Sequence, residues 1–149
     1  MQGLFLTQHK YISDILDGTK MLGAKDVVNL LLTSCSLSRH DGFPPTNATA
    51  YRKVVSALQY LSITRPDIAF TVNKLSQFMH QLSALHWIAV KRILRYLKST
   101  INYGLHLKCY SNLLLHAYSN ADWADDKDDR TSTSVYIVLL GTNRISWSS

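Results

Sequence analysis

A chain of 149 residues, 46% of them apolar, has length for one ordinary domain, or for a small domain and part of another, and is too apolar for the disordered class. Its formal charge of +6 is unevenly spread: residues 1–121 carry 13 Lys/Arg against 5 Asp, and residues 122–149 carry 3 against 5. The basic part admits either a polyanion partner or a merely solvated cationic surface, while the absence of any Glu excludes every site that needs one.

The first residues, Met1 to Leu6, lack the basic region and long apolar run of a signal peptide. No apolar run reaches the ~20 residues that span a bilayer. The expected location is therefore intracellular, cytoplasmic or nuclear, with no membrane partner. Leu4-Phe5-Leu6 predicts a short strand, and Thr7 is placed to cap a helix whose apolar positions Tyr11, Ile12, Ile15 and Leu16 end near Gly18. From Met21 to Pro45 the pattern weakens into a connector marked by Gly23, Gly42 and Pro44-Pro45, with some order expected around Val27 to Leu32. Asn47-Ala48-Thr49 has the form of a glycosylation sequon, a reading that the absence of a secretory signal removes.

A helix begins near Thr49 with the stripe Tyr51, Val54, Val55, Leu58 and Leu61. Thr64-Arg65-Pro66-Asp67 breaks it, because Pro66 turns Arg65 away from helix and suits the first turn of the next one. That next helix carries Ile68, Val72, Leu75 and Met79, with Phe78 beside them. A third runs from about Ala84 to Ser99, with Trp87, Val90, Leu94 and Leu97 on one side. Helices with short connections, each apolar on one side, can bury a shared core. Next to the last stripe lie Lys91, Arg92, Arg95 and Lys98, within ~120° on a helical wheel of ~100° per residue. This strip is either a solvated face or a track for phosphates, and it carries no base-reading code.

After Asn102-Tyr103-Gly104 the period changes to that of strands. Leu105 to Leu107 and Leu113 to Tyr118 read as extended segments around a turn at Ser111-Asn112. Val135 to Leu140 is the clearest strand, Gly141-Thr142-Asn143 a turn, and Arg144 to Trp147 an antiparallel return. Cys35 and Cys109 form no paired motif and are expected as buried free thiols, with a disulfide left open.

Little chemistry is spelled out. The six His are dispersed; His80 and His86 are six apart and match no ligand spacing, so they are expected to be structural or on the surface. No Gly-x-Ser-x-Gly elbow and no phosphate-cradling Gly-rich loop occurs, and no small-molecule substrate is identified. Asp122, Asp125, Asp126, Asp128 and Asp129 could gather a hard cation, or form an exposed acidic turn between two strands.

Several blocks together resemble the Pol polyproteins of copia-type retrotransposons. They are Gly3-Leu4-Phe5-Leu6-Thr7-Gln8-His9-Lys10-Tyr11, Met21-Leu22-Gly23-Ala24-Lys25, Tyr51 to Leu61, Thr64-Arg65-Pro66-Asp67-Ile68 and Leu94 to Thr100. Asn120-Ala121-Asp122-Trp123-Ala124, Arg130 to Ser134 and Leu140 to Trp147 complete the series in the family's order. The resemblance implies that residues 1–107 are the C-terminal thumb and connection of a reverse transcriptase, which grips the template–primer duplex. It implies that 108–149 are the opening strands of a ribonuclease H-like domain, which in the intact family uses Mg²⁺. The expected fold is thus α+β: a helical thumb/connection bundle followed by a truncated antiparallel β-hairpin region.

The same resemblance implies inactivity. The polymerase's Tyr-x-Asp-Asp motif does not occur, Asn120 stands where the first metal-binding Asp of the ribonuclease H motif falls, and Asp125 stands at that motif's Gly. Asp122 and Trp123 match their neighbours in the motif. The family's catalytic Glu segment is expected beyond Ser149. No catalytic residue is intact, no metal site is expected and no cofactor is assigned. The strip Lys91, Arg92, Arg95, Lys98 becomes an expected contact with an RNA–DNA or DNA duplex, without sequence specificity. Two alternatives stand beside a catalytically silent remnant: a nucleic-acid-binding module, and an interaction protein that recruits a strand onto an exposed edge at Val135 to Leu140.

Overall fold

The computed structural model describes residues 3–30, 37–38, 42–109, 113–123, 130 and 132–149. In chain order the elements are β1 (Gly3–Thr7), α1 (His9–Gly18), α2 (Ala48–Leu61), α3 (Pro66–Ser76), α4 (Ala84–Ser99), β2 (Gly104–Lys108), β3 (Leu115–Ala121), β4 (Ser134–Leu140) and β5 (Asn143–Ser148). The class is α+β, with helices around one core and two antiparallel sheets, β1–β2 and β3–β4–β5.

The helical stripes read from spacing are the buried ones. Tyr51, Val54, Val55, Leu58 and Leu61 of α2 pack in one cluster with Ile68, Val72 and Leu75 of α3, Ile12 and Leu16 of α1, and Val90, Ile93, Leu94 and Leu97 of α4. Each large aliphatic side chain so buried contributes about 1.5–3 kcal/mol. The Tyr51 hydroxyl, carried into this core, donates to the Leu75 carbonyl at 2.9 Å, and burial pushes its pKa up.

The helix ends have local causes. Asn47 of the sequon is the N-cap of α2, its Oδ1 accepting the Ala50 N–H at 3.0 Å. Thr7 does not cap α1: it is the last residue of β1, and Gln8 takes the cap position without a side-chain bond. Before α4, His86 Nδ1 accepts the Ser83 N–H at 3.1 Å, so His stands where a capping box usually has Glu or Gln. His86 is buried against Phe78, their ring centroids 4.3 Å apart, whereas His80 is exposed.

Strand β2 pairs with β1 rather than with β3, the next strand in sequence, in the register Gly3↔Lys108 to Thr7↔Gly104. The two ends of the helical stretch are thereby tied together. The approach requires glycine at both corners: a Cβ on Gly104 would collide with the Leu6 carbonyl oxygen, and one on Gly3 would lie 2.6 Å from Leu107 O.

Strands β3, β4 and β5 form a meander. Between β4 and β5, Gly141 adopts a φ of 60° at the first position of a two-residue turn. Strand β4 is paired on both sides, which corrects the expectation that Val135 to Leu140 lie at an edge. The edges are β3, exposed along its whole length, and β5. Strand β5 is fastened to the rest of the chain. The Asn143 side chain accepts from Lys108 N at 2.7 Å and donates to Lys108 O at 2.8 Å, and Trp147 Nε1 donates to Ser62 O at 3.1 Å. Cys109 is exposed, not buried as expected, and Cys35 lies outside the described residues. Among the described residues no helix is long and apolar enough to cross a membrane.

Candidate nucleic-acid interface and the acidic segment

The buried stripe of α4 sets the direction of its charged flank: with Val90, Leu94 and Leu97 turned inward, Lys91, Arg92, Arg95 and Lys98 share the adjoining side. Three of these cations are already engaged. Arg92 Nε donates to Asn29 O at 2.9 Å, Arg95 Nε to Lys25 O at 2.6 Å, and Lys98 Nζ to Ala24 O at 2.7 Å. Lys98 also pairs with the Asp26 carboxylate at 3.1 Å, and Ser99 Oγ donates to Val27 O at 2.9 Å. The connector after α1 therefore runs along the strip as a strap. Its irregular backbone needs partners for its carbonyls, and the strip supplies them. The order expected around Val27 to Leu32 is, for residues 27–30, a backbone pinned by α4. Lys91 is exposed on the same flank. Arg92 and Arg95 meet the strap through Nε alone, so their η nitrogens are further donors for an anion.

The acidic segment is divided. Asn120 sits on β3 opposite Val135, and its Oδ1 accepts the Ala121 N–H at 3.0 Å. With Tyr118, Val135, Ile137 and Trp147 it lines a groove of about 440 Å³ whose far wall includes Pro66 and Phe70. Asp122 fastens the loop end of the β3–β4 hairpin: its Oδ1 accepts the Thr133 N–H at 2.6 Å, and its own N–H donates to Thr133 O at 3.2 Å. Trp123 is 94% exposed. Asp125, Asp126, Asp128 and Asp129 lie outside the described residues.

Among the described residues, Asn120 and Asp122 do not by themselves fit the Mg²⁺ ions that the resemblance implies. A hard divalent cation wants several oxygen ligands, largely carboxylate. Asn120 offers one neutral oxygen that already accepts a hydrogen bond, in a groove with apolar walls. One oxygen of the Asp122 carboxylate accepts from Thr133, and no group of three or more His, Cys, Asp or Glu gathers among the described residues.

One cluster was hidden from spacing, which marks Thr64–Asp67 only as a helix break. Arg65 is 2% exposed and ties the start of α3 to the end of α4. Its Nε and one η nitrogen grip Asp67 at 2.9 and 2.7 Å, and its η nitrogens donate to Thr100 O at 3.0 Å and Thr100 Oγ1 at 2.8 Å. The guanidinium lies 5.8 and 5.7 Å from the ring centroids of Tyr96 and Tyr103. Tyr96 donates its hydroxyl to Asp67 at 2.9 Å. Burial pushes the Asp67 carboxyl up, but the Arg65 hydrogen bonds and charge, with the Tyr96 hydroxyl, hold it below its ordinary value. Burial and that carboxylate push Tyr96 up. An Arg-x-Asp pair spanning the first turn of a helix is the signal that could have found this hub.

Comparison with known proteins gives the family. The chain is 54% identical over 147 residues to the retrovirus-related Pol polyprotein from transposon RE1 of Arabidopsis thaliana, covering 99% of this chain and 10% of that protein. It is 51% identical over 148 residues to the Pol polyprotein from transposon RE2 of the same plant, again across 99% of this chain and 10% of the relative. An uncharacterized mitochondrial protein of Arabidopsis thaliana is 40% identical over 147 residues, 99% of this chain and 61% of its own length. The chain thus spans about a tenth of the length of the two Pol polyproteins. No family model matches it, and no solved structure does. With such identity running from end to end, the chain belongs to the copia-type retrotransposon Pol polyprotein family.

Proposed function

We propose that the chain is a Pol-derived segment without a catalytic centre of its own. In this reading residues 1–107 correspond to the thumb and connection end of a reverse transcriptase, and 108–149 to the opening strands of a ribonuclease H-like domain. The observation that carries it is Asn120, a neutral amide bonded to its own neighbour at the position where the family places its first metal-binding carboxylate. Such an amide cannot bridge two divalent ions as a carboxylate does. The test is incubation with an RNA–DNA hybrid and Mg²⁺ or Mn²⁺, read on a denaturing gel. No cleavage is expected, and cleavage abolished by Asn120→Ala would overturn the reading.

The flank of α4 favours a second property beside the first: duplex binding through Lys91, Arg92 and Arg95. The strap leaves Lys91 and the two arginines able to reach phosphates, whereas Lys98 is paired with Asp26. Binding to RNA–DNA or DNA duplexes of any sequence should weaken with salt, with a log–log slope of about −2.7 for three cations against about −3.6 for four. Fluorescence anisotropy with a mixed-sequence duplex measures it. Absent or salt-insensitive binding would refute the property without touching the first reading.

A further inference from the structure

We propose that the strap is an autoinhibitory contact: residues 24–29 occupy the cation flank of α4 as a tethered stand-in for a polyanion and hold down its affinity for a duplex. The role rests on the duplex-binding reading of that flank. A row of oxygens here meets a row of donors. Ala24 O, Lys25 O and Asn29 O accept from Lys98, Arg95 and Arg92, Val27 O accepts from Ser99 Oγ, and the Asp26 carboxylate pairs with Lys98. A nucleic-acid backbone presents the same kind of surface to such side chains.

What the strap offers differs from a phosphate chain in charge. Against Lys91, Arg92, Arg95 and Lys98 it sets one carboxylate, Asp26, and among the described residues no other carboxylate pairs with them. The flank therefore gains hydrogen bonds from the strap but keeps most of its positive charge. An anionic oxygen is a stronger partner for a guanidinium or an ammonium than a neutral carbonyl is. The carbonyls compete because they are tethered. Met21 and Leu30, at the two ends of the strap, pack against the helical core, which keeps the intervening oxygens at a high local concentration beside α4.

The strap is also separable from the fold it covers. From residue 25 to residue 30 it makes no backbone–backbone hydrogen bond among the described residues, and α4 side chains hold its middle. Val28 is 84% exposed, and Lys25, Asp26 and Asn29 are exposed with it. A segment with few buried apolar contacts and no ladder of its own opens more readily than the helices do. Two states of the flank follow. With the strap closed, Lys98 is committed to Ala24 and Asp26, and each arginine has its Nε engaged. With the strap open, Lys98 joins the other cations and both guanidinium forks are complete, so a duplex meets four cations in place of three.

Val27→Gly, Val28→Gly and Ser99→Ala together loosen the strap, by adding backbone freedom and removing one donor, without altering any charge. Fluorescence anisotropy of this triple variant with a mixed-sequence duplex across a salt series is the test. The log–log slope should steepen from about −2.7 to about −3.6, and ~0.9 of slope amounts to about eightfold in affinity per tenfold change in salt. Lys98→Met should then flatten the slope of the triple variant by about 0.9 and that of the wild type by much less, a coupling that a merely structural strap would not produce. Trypsin cleavage after Lys25, followed by mass spectrometry without duplex, should be faster in the triple variant and reports strap release independently of binding. Circular dichroism reports that the helices are kept, and Ser99→Ala alone should shift slope and cleavage in the same direction by less. A triple variant that binds with the wild-type affinity and slope would overturn the autoinhibition and leave duplex binding standing, whereas binding by neither chain would overturn both. Cleavage no faster than in the wild type would overturn it as well, because the strap would not be a separable element.

Discussion

Replacing Arg65 by Met keeps the length and removes the charge of a side chain that is 2% exposed. The exchange deletes two hydrogen bonds to Asp67 and two to Thr100, at 2.7–3.0 Å. It leaves the Thr100 carbonyl without that donor and strands the Asp67 carboxylate, with Tyr96 as its remaining side-chain partner. Removing one member of a buried ion pair costs about 3–5 kcal/mol. Asp67 is 34% exposed and recovers some hydration, so the lower end, about 3 kcal/mol, applies. Against a domain stability of about 5–15 kcal/mol this is a large fraction, and at about 2–4 °C per kcal/mol it lowers Tm by roughly 6–12 °C. Urea titration at neutral pH, followed by far-ultraviolet circular dichroism, measures the loss. Arg65→Met combined with Asp67→Leu should recover much of it, because the stranded carboxylate is then gone. A loss below about 1 kcal/mol for Arg65→Met, or a double variant weaker than the single one, would show that the guanidinium is not desolvated in the folded chain.

The same pair sets an acid limb. The folded Asp67 pKa is depressed, so its contribution is present above the ordinary carboxylate value of about 3.9 and is lost as pH falls through the lower folded value. Asp67→Asn should be less stable than wild type at neutral pH and converge with it in acid; parallel curves in a pH series of melts would rule this out. Gly104→Ala should cost about 1–3 kcal/mol through its clash with the Leu6 carbonyl, whereas Gly23→Ala, with open space around it, should stay within about 0.5 kcal/mol; thermal melts that fail to separate the two would contradict the β1–β2 contact. Asp26→Asn releases Lys98 from its carboxylate, and the salt slope of duplex binding should steepen from about −2.7 towards −3.6; an unchanged slope would mean that Lys98 stays committed to the strap.

What could be read beforehand was local. The apolar residues of α2 recur at the helical period, and a side chain's position on a helix follows from that period alone, so Tyr51 to Leu61 were identified as core without a partner in view. The hairpin from β4 to β5 announced itself through the turn at Gly141.

By itself, the sequence determined the family and the helices, because each depends on residues close together along the chain. Only the tertiary structure decided what those residues meet. The α4 cations bond backbone carbonyls 63 to 74 positions away, and a carbonyl has no side-chain signature to betray it. Pairing β1 with β2 closes the chain across the whole helical stretch, through two short strands whose sequences do not specify each other. Strand order likewise escaped the sequence: β4 is the most apolar strand, yet consecutive hairpins place it in the middle and leave the neutral, polar-flanked β3 with its free edge. Burial of Arg65 follows the same logic, because a guanidinium can leave water only where distant groups, here Thr100 and the rings of Tyr96 and Tyr103, converge to receive it.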